Sequence, residues 1–430
     1  MTITLMLLGM VGLCLINIPI AVSLGLVAMV AVVLIQGIDQ LVNTALVMHE
    51  GASSFPLLAI PLFVLAGAIM NASSISRRLI AFASSLVGFV RGGLSMVTIG
   101  ASVFFAEISG SAVADVAALG TILIPAMRRS GYSKEVAAAV ISSSASLAII
   151  IPPSIPMILY AVMAQTSVVK LFVAGIIPGL IGALALAAAA YWQAVRYNFP
   201  IEERFRISHV WATFKDAFWA FLLPIIILGG IFGGFVTATE GAGLAVVAAL
   251  LVGGVIYRDL NWREMRKACI EGGVQTAVVM LLVAASALIG TFLTEAQLPQ
   301  ALAHGITGLT TNKYVVLLLL NVAFLILGMF LHSAAAIILV VPIVMPMVNA
   351  AGIDPIHFGL VVTLNLAIGQ QTPPVASVLM AACTIAKADI WSTTRVNLPF
   401  IFALLFVLFL CTYVPSVSLG LVDFFYGPGR

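Results

Sequence analysis

Long apolar runs, separated by short polar stretches, make up most of the chain. A helix needs about 20 predominantly apolar residues to cross a bilayer, and many of these runs approach or exceed that length. The runs are rich in Leu, Ala, Val, Ile and Gly without strict alternation, so they predict helices rather than barrel strands. The predicted apolar blocks are 2–36, 53–70, 92–127, 134–163, 171–195, 217–235, 238–257, 272–292, 314–349, 355–385 and 397–418.

Four mixed or polar segments interrupt this pattern. Residues 72–90 and 295–311 combine apolar and polar side chains, which favours helices that lie at the membrane interface. Residues 196–216 and 258–271 are rich in charge, and Lys and Arg outnumber the acids in both. Because short cytoplasmic loops carry an excess of Lys and Arg, both segments are predicted to be cytoplasmic loops.

The composition agrees with this pattern. Apolar residues make up 62% of the chain and charged residues only 8%, whereas soluble domains carry about 25% charged residues. This predicts an integral membrane protein and excludes a soluble enzyme, a nucleic-acid binder and a secreted disulfide scaffold. The four cysteines have no metal-like spacing and are expected to be reduced packing residues. No basic segment precedes the first apolar run, so no cleaved signal peptide is expected.

An internal repeat is visible in the positions of Pro and Gly. Pro152-Pro153 recurs as Pro373-Pro374, an offset of 221 residues. Because further landmarks recur at the same offset, the two halves of the chain are predicted to be structural repeats. These further landmarks are Pro125 with Pro346 and Gly131 with Gly352.

The charges around the repeats predict their orientation. Arg91 precedes block 92–127 and Arg128 follows it, so both ends of this block are expected on the cytoplasmic side, as in a re-entrant hairpin. The equivalent block 314–349 is followed by a turn, 348–354, that has no Lys or Arg and is therefore predicted to be periplasmic. Counting crossings from these turns puts both termini in the periplasm. We predict an all-α polytopic membrane protein with two inverted repeats, each a re-entrant hairpin and a broken transmembrane helix.

The candidate chemistry lies at four interruptions of the apolar blocks: 108–112, 151–154, 330–333 and 371–374. Broken helices leave carbonyl groups that suit a small hard cation such as Na⁺, and amide ends that suit a carboxylate. The simpler alternative is that Pro-Pro only kinks a helix and Ser only packs it. The predicted Na⁺ ligands are Ser109, Gly110, Ser111, Ile151, Pro152, His332, Ser333, Gln371 and Thr372. The predicted solute-binding residues are Ser111, Pro153, Ser154, Thr372, Pro373 and Pro374.

Isolated polar residues inside apolar blocks also require an explanation, because charge at the bilayer centre is costly. Glu107 and Asp115 flank the first hairpin tip and either orient it or form a hydrogen-bonded pair inside the hairpin. Glu240 either caps a helix or lines a pathway. His332 is a pathway residue or a core histidine, and Asn365 is a candidate for closing the second site.

Together, these motifs resemble the large membrane subunit of tripartite ATP-independent periplasmic (TRAP) transporters. The resemblance extends from about residue 55 to about residue 400. The motifs that carry it are Ala59-Ile60-Pro61-Leu62-Phe63, Ala66-Gly67, Arg91-Gly92-Gly93-Leu94, Ile108-Ser109-Gly110-Ser111-Ala112, Ala114-Asp115-Val116-Ala117-Ala118, Ile150-Ile151-Pro152-Pro153-Ser154-Ile155, Gly352-Ile353-Asp354-Pro355-Ile356-His357-Phe358-Gly359 and Thr372-Pro373-Pro374.

The resemblance implies a transporter rather than an enzyme: a sodium-coupled importer of carboxylate-bearing solutes in the bacterial inner membrane. C4-dicarboxylates, sialic acids and keto acids are the implied solute types. The implied partners are a small four-helix membrane subunit and a periplasmic solute-binding protein. An elevator mechanism is implied as well, in which transport repeats slide against scaffold helices. The implied scaffold is 1–90, 171–313 and 391–430, and the implied transport repeats are 91–170 and 314–390.

The chain departs from the family pattern at four positions. Ala238 replaces a usual Pro, His332 stands where an acidic residue is frequent, and Gln370 and Gln371 stand where apolar residues are common. His332 is therefore a candidate for altered ion or solute preference. Arg395, at a helix start, is a weak candidate for pairing with the solute carboxylate.

Three alternative functions are open. A stand-alone sodium–dicarboxylate carrier of related elevator architecture would have the same hairpins and broken helices. A membrane-embedded hydrolase would need Ser111 and His332 within hydrogen-bond reach, although no oxyanion motif accompanies them. A passive channel is poorly supported, because paired interruptions favour closed binding sites.

Overall fold

The computed structural model describes residues 18–201, 205–297 and 312–427, together with a few residues before 18. Within these ranges the secondary structure is helical, and no strand occurs. The helices are α1 (Ile20–Gln36), α2 (Leu41–Ala52), α3 (Ala59–Ala72), α4 (Ile75–Val87), α5 (Gly93–Ser109), α6 (Ala112–Arg129), α7 (Lys134–Ala145), α8 (Ile155–Met163), α9 (Val168–Arg196), α10 (Ile207–Phe232), α11 (Ala238–Leu250), α12 (Trp262–Glu295), α13 (Lys313–Phe330), α14 (Ser333–Ala350), α15 (Pro355–Gly369), α16 (Ser377–Ala386), α17 (Ile390–Tyr413) and α18 (Pro415–Tyr426).

Eight helical segments in the described part of the chain are long and apolar enough to cross a membrane. Large apolar side chains lie on their outer surfaces, as lipid-facing helices require, and Leu184, Ile225, Phe402 and Phe406 are examples. The predicted class, an all-α polytopic membrane protein, is therefore confirmed. The eight segments are Phe55–Ala72, α9, α10, Ala238–Ile256, α12, α13, α14 and α17.

The two predicted polar loops are largely helical instead. α12 begins at Trp262, so most of 258–271 belongs to a 34-residue helix about 51 Å long. α10 likewise begins at Ile207, inside the predicted loop 196–216. Helices that continue beyond the hydrocarbon region carry charges, and hydropathy alone does not distinguish such extensions from loops.

Segment 72–90 contains the short amphipathic helix α4. Its buried side chains recur every three or four residues, from Ile75 to Leu79, Ile80 and Ala83. This apolar face packs against α10 and α5. With 13 residues, about 20 Å, α4 is too short to cross a bilayer. Most of the second predicted interfacial helix, 295–311, lies outside the described residues.

The repeat predicted from the Pro and Gly landmarks is confirmed in the order of its helices. In the first repeat, α5 and α6 form a hairpin, and α7 and α8 are the two halves of a broken helix. In the second, α13 and α14 form the hairpin, and α15 and α16 are the halves of the broken helix. Two short helices, α2 and α18, were not predicted; they pack along α12 and α9 respectively.

The two repeats pack into each other. α6 of the first hairpin contacts α16 of the second broken helix, and α14 of the second hairpin contacts α8 of the first. The Tyr160 hydroxyl of α8 donates a 2.7 Å hydrogen bond to the carbonyl of Pro355, at the start of α15. This reciprocal packing brings Ile150 and Ile151 of the first interruption and Ala376 of the second into one buried core.

Candidate functional site

The tip of the first hairpin lies directly on the interruption of the first broken helix. Gly110 forms this tip with a positive φ of 57°, and its carbonyl accepts a 3.3 Å hydrogen bond from the backbone N–H of Ile155. A Cβ atom at Gly110 would lie only 3.0 Å from the carbonyl oxygen of Pro153. Glycine is therefore required both for the backbone conformation and for the close approach.

The first interruption is completely enclosed by protein. After α7, a 3₁₀ turn over Ser146–Ile149 leads into Pro152 and Pro153, which are both buried. The hydroxyl of Ser154 donates to the carbonyl of Ile149 at 2.8 Å and also accepts from the N–H of Met157, which caps α8. Ser154, a predicted solute-binding residue, therefore holds the interruption together.

The second hairpin contacts its own broken helix in the same way. The carbonyl of Met329, near the hairpin tip, accepts hydrogen bonds from the N–H groups of Val375 at 3.2 Å and Ala376 at 3.3 Å. Gly328 and Gly369 allow the two backbones to touch, because a Cβ at Gly369 would lie 2.6 Å from the Cα of Gly328. Both repeats thus combine a hairpin tip with a helix interruption, as predicted from the sequence.

The second interruption is more open than the first. Thr372 and Pro373 are half-buried and Pro374 is exposed, although the Thr372 hydroxyl donates to the carbonyl of Ile368 at 3.0 Å. At the hairpin tip, Ser333 is buried at the start of α14. His332 is exposed, and its side chain makes no hydrogen bond with any residue of the described ranges, so the hydrolase alternative lacks its base–nucleophile contact.

A buried amide–hydroxyl network joins the two interruptions. The Gln371 side-chain amide donates to the Ser146 hydroxyl at 2.8 Å. The Ser143 hydroxyl lies 2.8 Å from Gln371 Oε1 and 2.6 Å from Asn397 Oδ1, so its single proton is shared between two acceptors. Sequence reasoning missed Ser143, Ser146 and Asn397. The run of serines inside an otherwise apolar helix and the lone amide in α17 were the available signals.

Asn365, the candidate for closing the second site, is buried in α15. Its side-chain amide donates to Asn321 Oδ1 at 2.7 Å, and the Asn321 amide in turn donates to the Thr412 hydroxyl at 3.1 Å. These bonds tie α15 to α13 and α17. The geometry therefore gives Asn365 a role in helix packing.

Glu240 is a capping residue. Its carboxylate accepts from the N–H and the hydroxyl of Thr237, and the Thr237 hydroxyl accepts from the N–H of Glu240. This is a capping box at the start of α11. Asp115 is completely buried in the first turn of α6, next to the hairpin tip. The side chains of Glu107 and Ser109 lie outside the described part of the structure, and their roles stay predictions.

A cavity of about 660 Å³ opens beside the first hairpin tip. Its walls are the end of α3, the start of α4, the outer face of α6 and the first half of α12. Ser111 lines the cavity, as do Arg77 and Glu264. The first hairpin tip is therefore in contact with a polar, charged cavity. We call this cavity the vestibule.

The Na⁺ predicted from the sequence can be compared with the atoms that the interruptions present. No group of three or more His, Cys, Asp or Glu side chains in the described ranges could hold a transition metal. The interruptions instead present backbone carbonyls and the hydroxyls of Ser and Thr, the oxygen ligands that hard cations prefer. These oxygens fit the predicted Na⁺.

Known proteins resemble this chain along nearly its whole length. The family model described as "Tripartite ATP-independent periplasmic transporter, DctM component" matches residues 7–417. The isethionate TRAP transporter permease protein DctMQ of Oleidesulfovibrio alaskensis is 40% identical over 94% of this chain, which spans 64% of that relative's length. The C4-dicarboxylate TRAP transporter large permease protein DctM of Pseudomonas aeruginosa is 39% identical, with 93% of both chains covered.

Two further comparisons extend this result. The sialic acid TRAP transporter large permease protein SiaM of Vibrio cholerae is 37% identical over 98% of this chain and 99% of its own. The crystal structure of the Alcanivorax borkumensis YdaH transporter, described as having an unusual topology, has a similar fold. Its TM-score is 0.65 at 16% identity, and 90% of each chain is covered. This chain belongs to the DctM family of tripartite ATP-independent periplasmic transporters, as a large permease subunit.

Proposed function

We propose that this chain is the transport subunit of a sodium-coupled, binding-protein-dependent importer of small acids. The solutes would carry a carboxylate, as C4-dicarboxylates, sialic acids and keto acids do. The observation that carries the proposal is the paired geometry of the repeats. Each hairpin tip bonds to its own broken helix, and the Gln371 amide joins the two interruptions through Ser146.

Different groups around the interruptions would bind the cation and the acid. Oxygens of the first tip and interruption (Ser109–Ser111, Ile151, Pro152) and of the second (His332, Ser333, Gln371, Thr372) would hold Na⁺. Bound Na⁺ would supply the positive charge that neutralises part of the solute's negative charge. Helix starts after each interruption, near Ser154 and Pro374, would direct amide dipoles to the carboxylate.

The wider assembly follows from the same proposal. The partners would be a small four-helix membrane subunit and a periplasmic solute-binding protein, because relatives are named as TRAP permeases. The complex would lie in the inner membrane with both termini of this chain in the periplasm. Movement would follow an elevator mechanism, in which the intertwined hairpins and broken helices shift as one body against helices such as α10 and α12.

The central test is transport by purified complex in proteoliposomes that contain the small subunit and receive the binding protein from outside. An inward Na⁺ gradient is expected to drive solute uptake, and replacing Na⁺ by K⁺ is expected to abolish it. Single Ala substitutions of Ser109, Ser111, Ser154 and Thr372 should weaken the Na⁺ dependence while the proteins stay folded. Unchanged Na⁺ dependence in all four variants would show that the binding site is not at these residues.

Two outcomes would redirect the proposal. Uptake without any binding protein would favour the stand-alone sodium–dicarboxylate carrier. Because one relative is named as an isethionate transporter, the solute panel must include a sulfonate beside the carboxylates. If only the sulfonate is taken up, the proposed carboxylate class is wrong and the solute is another kind of anion. The Na⁺ dependence of sulfonate uptake then tests the proposed ion coupling by itself.

A further inference from the structure

The vestibule carries an uneven arrangement of charge that the proposed ion and solute sites do not use. Of the neighbouring basic residues Arg77 and Arg78 in α4, only Arg77 lines it. Arg78 turns away, pairs with Asp216 and lies over the ring of Tyr257 at 4.1 Å. Within the described ranges, Arg77 itself makes no hydrogen bond or ion pair.

The wall of the vestibule that α12 forms is acidic. Glu264 and Glu271 of α12 line the cavity, whereas Arg266 of the same helix does not. The one lysine on this wall, Lys267, lies 3.9 Å from Glu271, so its charge is partly compensated. The vestibule therefore has an uncompensated guanidinium on the α4 wall and an excess of carboxylates on the α12 wall.

Asp259 is the remaining charged residue that lines the vestibule. One of its carboxylate oxygens accepts a hydrogen bond from the N–H of Ser74 at 3.3 Å, next to the start of α4. Its charge thus lies near the α4 wall but is bound to the helix start, where it compensates the helix dipole. Arg77 remains the one basic side chain lining the cavity that has no partner in the described part of the chain.

We propose that Arg77 is a docking residue for the anionic group of the solute on the path between the first hairpin tip and the cytoplasm. This inference rests on the proposed import of small acids. A guanidinium offers five N–H donors in a planar arrangement that matches the two oxygens of a carboxylate. Because Ser111 of the tip lines the same cavity, an anion leaving the tip enters the space that Arg77 lines.

The two walls would act in opposite senses on the leaving solute. Arg77 attracts the anion towards α4, whereas Glu264 and Glu271 repel it from α12. The guanidinium is exposed to water, so its attraction is modest and depends on salt. A weak site suits a release path, because a strong one would retain the solute.

The test compares Arg77→Gln with Arg266→Gln, which removes the same charge from the same side of the molecule but outside the vestibule. The complete complex is reconstituted in a single orientation in proteoliposomes. The rate of solute exchange is then measured while the internal or the external solute concentration is varied. In Arg77→Gln, the half-saturating internal concentration is expected to rise about twofold to fivefold, while the external value is unchanged. Arg77→Lys should retain most of the wild-type value, and Glu264→Gln should lower it.

Two further readouts separate docking from a structural role. The difference between Arg77→Gln and wild type should shrink at high salt, because the Debye length falls to about 3 Å at 1 M. It should also be larger for a solute with two anionic groups than for one with a single group. An internal half-saturation equal to that of Arg266→Gln, or an equal rise on both sides of the membrane, would overturn the role of Arg77.

Failure of the proposed function gives a different result. If the wild-type complex exchanges a sulfonate but no carboxylate, the proposed solute class is wrong, and the internal half-saturation for the sulfonate then decides the role of Arg77. If the wild type exchanges carboxylates and only the Arg77 comparison fails, the proposed function stands and this inference is wrong. Exchange of no anion at all by the wild type would overturn both.

Discussion

The two helix interruptions of this protein have the same plan but differ in burial and in the side chains that hold them. The first is short, spanning 150–154, is buried throughout, and is held by a backbone bond to Gly110 and by the Ser154 hydroxyl within its own repeat. The second is longer, spanning 370–376, is partly exposed, and adds to its backbone bonds with Met329 the side chain of Gln371, which reaches Ser146 of the first repeat. The difference indicates that contacts within its own repeat hold the first interruption, whereas the second also depends on buried polar bonds to the other repeat.

The largest effect is expected from Gly110→Ala. The new Cβ would have to occupy a left-handed conformation and lie 3.0 Å from the Pro153 carbonyl, so the hairpin tip must move away from the interruption. We expect strain of about 1–3 kcal/mol and a loss of uptake on the order of tenfold or more. Sodium-driven uptake in proteoliposomes measures this effect.

Gly131→Ala is the matched control for this variant. Gly131 also has a positive φ, of 88°, but its Cβ would meet no atom within 4 Å. This control should therefore reproduce the backbone strain without displacing the tip, and it should retain most of the uptake. Equal losses in both variants would show that strain, rather than contact with the interruption, limits transport.

Gln371→Leu should have the next largest effect, on stability. It removes the bond to Ser146, leaves the buried Asn397 Nδ2 without the acceptor it has in Gln371, and leaves Ser143 bonded to Asn397 alone. We expect a loss of about 1–3 kcal/mol, measured as a lower unfolding midpoint in detergent. Gln370→Leu is the control. The Gln370 side chain bonds only within the second repeat, to the carbonyl of Leu366 and the hydroxyl of Ser377, both at 3.3 Å, so the loss of stability should be smaller.

The smallest effect is expected from Asp389→Ala, at the start of the helix that carries Asn397. The backbone N–H of Ser392 donates to Asp389 Oδ2 at 2.8 Å and thereby lowers the pKa of this carboxyl. A carboxyl whose pKa is lowered by folding stabilises the folded protein at pH values above its ordinary pKa. This stabilisation is lost as the pH falls through the folded-state pKa. The variant should therefore unfold more easily than wild type at neutral pH, and the difference should shrink below about pH 4.

Ser167→Ala provides the uncharged comparison for this pH series. The hydroxyl of Ser167 caps α9 through the N–H of Lys170, at 3.3 Å, and does not titrate in this range. Its effect on the unfolding midpoint should be nearly independent of pH. A constant difference between Asp389→Ala and wild type across the acidic range would contradict the proposed coupling of α17 to the charge of Asp389.

Much of the site was predictable because irregular backbone inside an apolar block requires particular residues. Gly110 at a tip and the pairs of prolines 221 residues apart identified both hairpins and both broken helices. The helices α2 and α18 were missed because, with 12 residues each, they are too short for the signal of a membrane span. The charged start of α12 was assigned to a loop because charge outside the membrane is equally compatible with either state.

The amino-acid order was sufficient for the membrane class, the duplication and the positions of the helix interruptions, because each depends on local composition and spacing. It was not sufficient for the contacts between the repeats. Gln371 meets Ser146 across 225 residues, and Arg77 meets the vestibule near Ser111, only after α4, α6, α12 and both broken helices have packed. Such contacts depend on the relative positions of whole helices, which no local pattern encodes.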